Sequence, residues 1–478
     1  MNEMNRRDFI RTGTAAVAVA GVPMAPAIGC GAGKLALLDG TPVVGSALKK
    51  ACEDMFAWPI VNEAMRKAND AVLCARNMSG LDIADEFERK FAEWNGTKYA
   101  SSAVNGTASL MAAFYAVGLG PGDELICPSI TYWASCLGAI HLGASVVFCD
   151  VKPEDFTADP KSVEAHITPR TKAIVVVHVY GAPCDMDPIM AIAKKHGIKV
   201  IEDVSHAQGG LYKGRKLGTI GDCGCMSLMT GKSFAIGEGG MFVTNDFELY
   251  RRVVRWGQYE RISRCWKPEE YAQTKMLPLG GTKNRLNQCC AAIGLEQLKK
   301  YDSECAEIEK AMLYYWSLVK DVKGLGMVYP PFSNSNKAGW YYSRGHYEPE
   351  AFGGVSAETF ALALNAEVGG NYYNAGANYP LHMSSIFDDE DIFGNGKPPS
   401  RRHLPEGVSP AQETGKLPVA ETINAKILGD PAFKHFDKDL IDRFAEAVHK
   451  VADNAASLKG WQPAKPAPQA LPGWNRKA

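Results

Sequence analysis

The sequence predicts an α/β fold: a large domain on a mainly parallel sheet covered by helices on both faces, followed by a smaller α+β domain. Three observations carry this. Residues 173–179 and 199–203 are nearly continuous apolar runs, as strands buried on both faces require. A helical pattern at 189–196 separates them, which supplies the crossover that parallel neighbours need. From residue 288 the pattern changes to long helical stretches around one Tyr- and Trp-rich strand near 339–347.

In chain order, 85–92 is amphipathic, with Phe87 and Phe91 four apart on one face. A strand at 100–104 leads to a helix at 108–117, and Gly120-Pro121-Gly122-Asp123 is a turn. The strand 124–127, a helix at 134–142 and the strand 145–149 follow. After the two buried strands comes a compact unit at 222–246: an apolar run at 225–229, a break at Thr230-Gly231, Lys232, the turn Gly237-Glu238-Gly239-Gly240, and a strand at 241–244. A long helix from 288 towards 318 leaves the sheet domain, and a final helix covers 440–458. The Pro-, Gly- and charge-rich stretch 388–418 reads as a surface loop or lid, and 463–478 as a Pro-rich tail. The domain expectation is an N-terminal signal over 1–30, an arm over 31–55, the large domain over 56–287 and the small domain over 288–462.

With 478 residues, 46% hydrophobic and 22% charged, the chain has the composition of an ordinary globular protein. A formal net charge of -1 with no dense Lys/Arg block argues against nucleic-acid binding. The thirteen cysteines are scattered through apolar runs rather than spaced as a disulfide framework, and Cys223, Cys225, Cys289 and Cys290 lack further ligands for a metal site. Asn5-Arg6-Arg7-Asp8-Phe9-Ile10-Arg11, with a short apolar segment at 14–22, reads as a removable twin-arginine export signal. That segment is too short to span a bilayer. Ala27-Ile28-Gly29-Cys30 also has the form of a lipoprotein box, with Cys30 the lipidated residue. The plain alternative is an unstructured tail with a chance Arg-Arg pair.

The chemistry centres on Lys232. A lysine delivered between two apolar strands is poorly solvated, which favours its neutral, nucleophilic form; the alternative is a solvated lysine at a hairpin end. Asn105-Gly106-Thr107 opens a helix after a strand, where backbone amides suit a phosphate. Asp203 ends an apolar strand, so its carboxylate needs a partner, and a protonated pyridine nitrogen is one. His206 can donate to a phenolic oxygen, the alternative being a capping histidine, and either Tyr132 or Trp133, in the loop after another strand, can stack on a ring, the alternative being core packing. An anion nest, a stacking aromatic, an acid for a ring nitrogen and a Schiff-base lysine together match pyridoxal 5'-phosphate.

The ordered set of motifs resembles the DegT/StrS sugar aminotransferases, a family of fold-type I pyridoxal-phosphate enzymes. It runs from Leu37-Leu38-Asp39-Gly40-Thr41-Pro42-Val43 through Asn105-Gly106-Thr107-Ala108, Pro128-Ser129-Ile130-Thr131-Tyr132 and Val177-His178-Val179-Tyr180-Gly181 to Glu202-Asp203. Ser227 and Lys232, five apart, Gly237-Glu238-Gly239-Gly240, Tyr379-Pro380-Leu381-His382 and Leu417-Pro418-Val419-Ala420-Glu421 complete it. The resemblance implies a Schiff base at Lys232, which also shuttles the proton. It implies Asp203 on the ring nitrogen, His206 near the ring hydroxyl, Tyr132 (or Trp133) on the ring face, and Gly106, Thr107 and Ser227 on the phosphate. It further implies a ping-pong transfer from an amino donor, glutamate, to a keto sugar or keto-cyclitol. The family's Gly-Tyr-Asn-x-Arg segment reaches the partner subunit's phosphate, and here it reads Gly281-Thr282-Lys283-Asn284-Arg285. Lys283 aligns with that Asn and Asn284 is the alternative; either version implies a homodimer with shared active sites. Sugar dehydratases of the family replace the Schiff-base lysine with histidine, and a non-catalytic regulator would lose Lys232, Asp203 or the phosphate nest; all are present here. An export signal sits awkwardly with nucleotide-linked sugars, which are cytoplasmic: either the substrate is an unactivated keto sugar outside the inner membrane, or the segment is no signal and the protein is cytoplasmic.

Overall fold

The computed structural model describes residues 33–463 apart from 389, 392–393, 395, 397–402, 406 and 408–415. The export segment with Cys30, most of the loop 388–418 and the tail from 464 lie outside the described residues. The strands are Tyr99–Ala103 (β1), Glu124–Pro128 (β2), Ser145–Cys149 (β3), Thr171–Val177 (β4), Lys199–Asp203 (β5), Leu211–Tyr212 (β6), Arg215–Lys216 (β7), Cys223–Ser227 (β8), Gly240–Thr244 (β9), Leu325–Met327 (β10), Arg344–Tyr347 (β11), Asn374–Ala375 (β12) and Ile427–Gly429 (β13).

Among the described residues, seven of these form one sheet in the order β1-β9-β8-β5-β4-β2-β3. β9 pairs antiparallel with β1 and β8, and the pairs from β8 outward to β3 are all parallel. Both faces are buried, which explains the unbroken apolar runs. Val146 and Phe148 of β3 enter one core with Val175 and Val177, while Val147 and Cys149 enter the other with Ile174 and Val176. The second domain carries an antiparallel sheet, β10-β11-β13-β12. Its core unites Leu35, Val44, Cys52 and Met55 of the N-terminal arm with residues between Ile308 and Tyr373 and between Leu428 and Leu458, while Phe387, Leu417, Ala420, Ile423 and Ile427 return to the large-domain core.

Several elements depart from the expected boundaries for physical reasons. The helix expected at 134–142 is a 3-10 turn, Trp133–Ser135, followed by Leu137–His141, because Cys136 (φ -143, ψ -31) interrupts it. The long stretch from 288 is two helices, Gln288–Leu298 and Tyr301–Val319, broken at Lys299-Lys300. The first stays with the large domain: a Cβ at Gly294 would lie 2.6 Å from the Phe87 ring. The second, through Ile308, Met312 and Trp316, enters the second core, so the axis must turn between them. The aromatic stretch 339–347 is strand only from Arg344. Ala338, Trp340 and Tyr342 have φ of 47, 46 and 50, left-handed values that forbid a ladder. The last helix is Lys438–Asp453, closed by a 3-10 turn Ala455–Leu458. The cysteines of the described region are free thiols, most of them buried, and no described helix is long and apolar enough to cross a membrane.

Candidate active site

The site lies where β1, β5 and β8 end. β9 stands between β1 and β8 and runs the other way, so its first residue, Gly240, faces the last residues of both neighbours, Ala103 and Ser227. The chain leaving β1 must then cross β9 to start its helix. A Cβ at Gly240 would lie 2.2 Å from the Asn105 carbonyl oxygen, so only glycine permits the crossing. Asn105 caps the helix Gly106–Ala116, its side chain accepting from the Ala108 amide at 2.9 Å. The first-turn amides of Gly106 and Thr107 thereby come to the end of β8. A Cβ at Gly106 would sit 2.7 Å from the Cβ of Ser227. Gly106, Thr107 and Ser227 thus form a cradle in which backbone amides and a hydroxyl converge, the donor set a phosphate takes. The cradle is braced from behind: the Ser227 amide donates to Ser205 Oγ at 2.9 Å, and its carbonyl accepts from Gln208 Nε2 at 2.6 Å.

Asp203, the last residue of β5, is 4% exposed. Its Oδ2 accepts from the Ser135 hydroxyl at 2.7 Å and its Oδ1 from the Ser205 amide at 3.0 Å. Two neutral donors fix the carboxylate plane and leave lone pairs for a cationic N–H, which is what a protonated ring nitrogen offers. Its neighbour Glu202 turns to the other face and has a structural duty. It is fully buried and accepts from the amides of Gly218, Ile220 and Gly221, and from His178 Nε2.

Lys232 lies in the loop between β8 and β9 and is 9% exposed. Its backbone is pinned at both ends: its amide donates to the Met229 carbonyl at 2.8 Å, and its carbonyl accepts from the Trp58 indole at 3.0 Å. Nζ stands 4.4 Å from the centroid of the Tyr341 ring, close enough for a cation–π contact. The same ring lies 4.8 Å from that of His206. His206 Nδ1 accepts from the Tyr180 amide at 3.3 Å, which leaves the imidazole proton on Nε2. Burial, reinforced by the positive charges of Lys232 and Arg344, pushes the His206 pKa well below the usual histidine range. A neutral imidazole with an Nε2 donor therefore stands beside the Tyr341 ring that the lysine also touches.

Tyr132 and Trp133 follow β2, half-exposed, with ring centroids 4.8 Å apart. Both remain available to cover a ring. Lys283 and Asn284 differ sharply. Asn284 is buried, its amide donating to the Gly257 carbonyl at 2.9 Å and its carbonyl accepting from Gln258 Nε2. Lys283 is exposed and lines an open cavity of about 300 Å3 with Met78, Ser79, Arg285, Leu286 and Asn287. The structure thus gathers Gly106, Thr107, Ser227, Asp203, His206 and Lys232 into one site, and sets Lys283 apart at the surface.

Sequence reasoning missed Trp58, Ser135, Ser205, Gln208 and Tyr341. Ser205 and Gln208 sit beside Asp203 in the chain, and the short polar turn after a buried strand is the signal that could have found them. Tyr341 had no such signal, since its approach depends on three left-handed residues.

A buried lysine beside a neutral histidine, a carboxylate aimed from a strand end and a glycine-made phosphate cradle fit pyridoxal phosphate. On this fold they define a fold-type I pyridoxal-phosphate aminotransferase. Residues 60–449 match the profile of the DegT/DnrJ/EryC1/StrS aminotransferase family, and the chain belongs to that family. It is 31% identical over 450 residues, 89% of this chain and 99% of the relative, to the L-glutamine:2-deoxy-scyllo-inosose aminotransferase of Streptoalloteichus tenebrarius. It is 42% identical to the GDP-perosamine synthase of Caulobacter vibrioides, a match spanning 48% of this chain and 60% of that protein. Among solved structures, the aminotransferase from Psychrobacter cryohalolentis superposes with a TM-score of 0.70 at 28% identity, covering 84% of this chain and all of that one.

Proposed function

We propose that this protein transfers an amino group from L-glutamine or glutamate to the carbonyl of a keto sugar or keto-cyclitol. The observation that carries the reading is Lys232, buried, pinned by Trp58 and set over the Tyr341 ring that also adjoins neutral His206. The cyclitol is favoured because the relative matched over nearly its whole length is named for that class of acceptor, and its name supplies L-glutamine as donor.

Pyridoxal phosphate, when bound, supplies an electron sink and carries the amino group between the two half-reactions. The chain does the rest. Gly106, Thr107 and Ser227 would hold the phosphate, with Tyr132 or Trp133 covering the ring. Asp203 would keep the ring-nitrogen proton in place, and His206 Nε2 would donate to the ring hydroxyl. Lys232 Nζ would take a proton from the donor carbon in the first half-reaction and would give one to the acceptor carbon in the second. A panel of free and nucleotide-linked keto sugars and keto-cyclitols, assayed with both donors, tests the reading. Turnover with a free cyclitol or sugar is expected; turnover with none of the panel would defeat it.

Two further parts of the reading concern assembly and place. The active form is a homodimer in which Lys283 reaches the partner's phosphate site. What supports this is its exposure beside Met78, 46% exposed, and the nearby Leu277 and Leu279, 66% and 50% exposed. Mixed dimers of Lys232→Ala and Lys283→Ala subunits should regain one working site; absence of regained activity in proven heterodimers would remove the idea. The protein is also exported folded through Arg6-Arg7, either free outside the inner membrane or lipid-anchored at Cys30. Changing both arginines to lysine should leave it in the cytoplasm with cofactor bound, and unchanged export would show that the segment is no signal.

A further inference from the structure

The loop after β2 carries three groups of the site: Tyr132, Trp133 and Ser135, the last bonded to Asp203 at 2.7 Å. Its first residue, Ser129, is fully buried and is gripped by the segment after β12, whose Leu381 and Phe387 pack in the same core as Val146 and Phe148. The chain leaving β12 runs over the ends of the large-domain strands. The Asn378 amide donates to the Tyr180 hydroxyl at 2.8 Å, and the Leu381 amide to the Ser129 carbonyl at 2.9 Å. His382, 1% exposed, then places Nδ1 2.6 Å from Ser129 Oγ and Nε2 2.9 Å from Glu421 Oε1. Glu421 belongs to the short helix Pro418–Thr422, whose Val419 and Ala420 amides donate to Asp150 just beyond β3, at 3.1 and 2.8 Å. With Nε2–H donated to the Glu421 carboxylate, Nδ1 accepts from the Ser129 hydroxyl.

Serine, histidine and carboxylate stand in the order of a hydrolytic triad, but Ser129 is 0% exposed and offers no nucleophile to a substrate. The relay instead ties two distant stretches of chain, the segment after β12 and the helix Pro418–Thr422, to the loop after β2. Two residues beyond Ser129 in the same loop, Thr131 Oγ1 lies 2.8 Å from Ser135 Oγ, which reaches Asp203.

We propose that His382 is a positioning residue. Through Ser129 it fixes the loop that sets the stacking aromatic and the Ser135–Asp203 bond against the cofactor ring, so that the seating of His382 on Glu421 tunes the ring's environment. This rests on the pyridoxal-phosphate reading above. The test compares two amides in the protein as purified. His382→Asn keeps an oxygen where Nδ1 was and can still accept from Ser129. His382→Gln reaches Glu421 but leaves Ser129 without its acceptor.

Three readouts apply: amide hydrogen exchange of the peptide spanning 129–135, visible circular dichroism of the bound cofactor, and kcat against KM. Loss of one buried hydrogen bond corresponds to about tenfold. His382→Gln should therefore speed exchange of that peptide about tenfold and lower kcat by a similar factor with KM little changed. It should also shrink the dichroism, while Lys232 stays reducible by borohydride. His382→Asn should hold all three near the parent values. Ser129→Ala should reproduce His382→Gln, and the double variant should add nothing further. Equal behaviour of the Asn and Gln variants, or unchanged exchange in His382→Gln and Ser129→Ala, would overturn the proposal. Failure of the cofactor reading is distinct: Lys232 would not be reducible even in the parent, and the exchange comparison would still decide the relay.

Discussion

Lys232→Ala is expected to abolish transamination, lowering kcat by more than about four orders of magnitude, the scale seen when an essential group of a concerted site is removed. The fold should survive. The Trp58 bond is to the Lys232 carbonyl and the Met229 bond to its amide, neither of which the substitution touches. The cofactor should still enter, because Gly106, Thr107, Ser227 and Asp203 remain, but it will leave on dialysis and will not be fixed by borohydride. Wild-type-like turnover in this variant would assign the chemistry to another amine.

Asp203→Asn should leave the linkage to Lys232 intact and slow both half-reactions by at least one to two decades. The lower bound follows from a charge-assisted bond of roughly 1.5–3 kcal/mol, with the weakened electron sink adding to it. The site tolerates the change sterically. The Ser205 amide can still donate to Oδ1, and the Ser135 hydroxyl can accept from the new amide where it now donates to Oδ2. The defect should therefore appear in kcat, measured with amino donor and keto acceptor separately, with thermal stability nearly unchanged. An effect confined to KM would mean that Asp203 only shapes the pocket.

The parallel strands were legible because burial on both faces leaves no polar alternation to misread, and Lys232 because an apolar run broke for one cation. Asp203 was legible as a charge at the end of such a run. The cradle was half legible: Asn105-Gly106-Thr107 is a local helix start, but its meeting with Ser227 depends on β9 lying antiparallel between β1 and β8. No local pattern records that register. The same limit explains Tyr341 and His382. Each reaches the site from a distant stretch of the chain, Tyr341 through backbone that sequence periodicity read as strand. The turn at Lys299-Lys300 was hidden because both flanking segments are good helix formers, and the change of axis follows only from the two cores they join.

Two other lysines set the terms of the decisive measurement. Burial pushes the pKa of Lys337 down to about 8, and that of Lys434 also to about 8. Lys434 lies 4.6 Å over the Trp58 ring, next to the backbone of Lys232. Either is a plausible nucleophile on acidity alone, whereas only Lys232 faces His206 through Tyr341. Cofactor-saturated protein, reduced with borohydride, digested and mapped by mass spectrometry, separates the three. The label is expected on the peptide containing Lys232, at about one per chain. A label on Lys337 or Lys434, or no label at all in saturated protein, would contradict the assignment of this site.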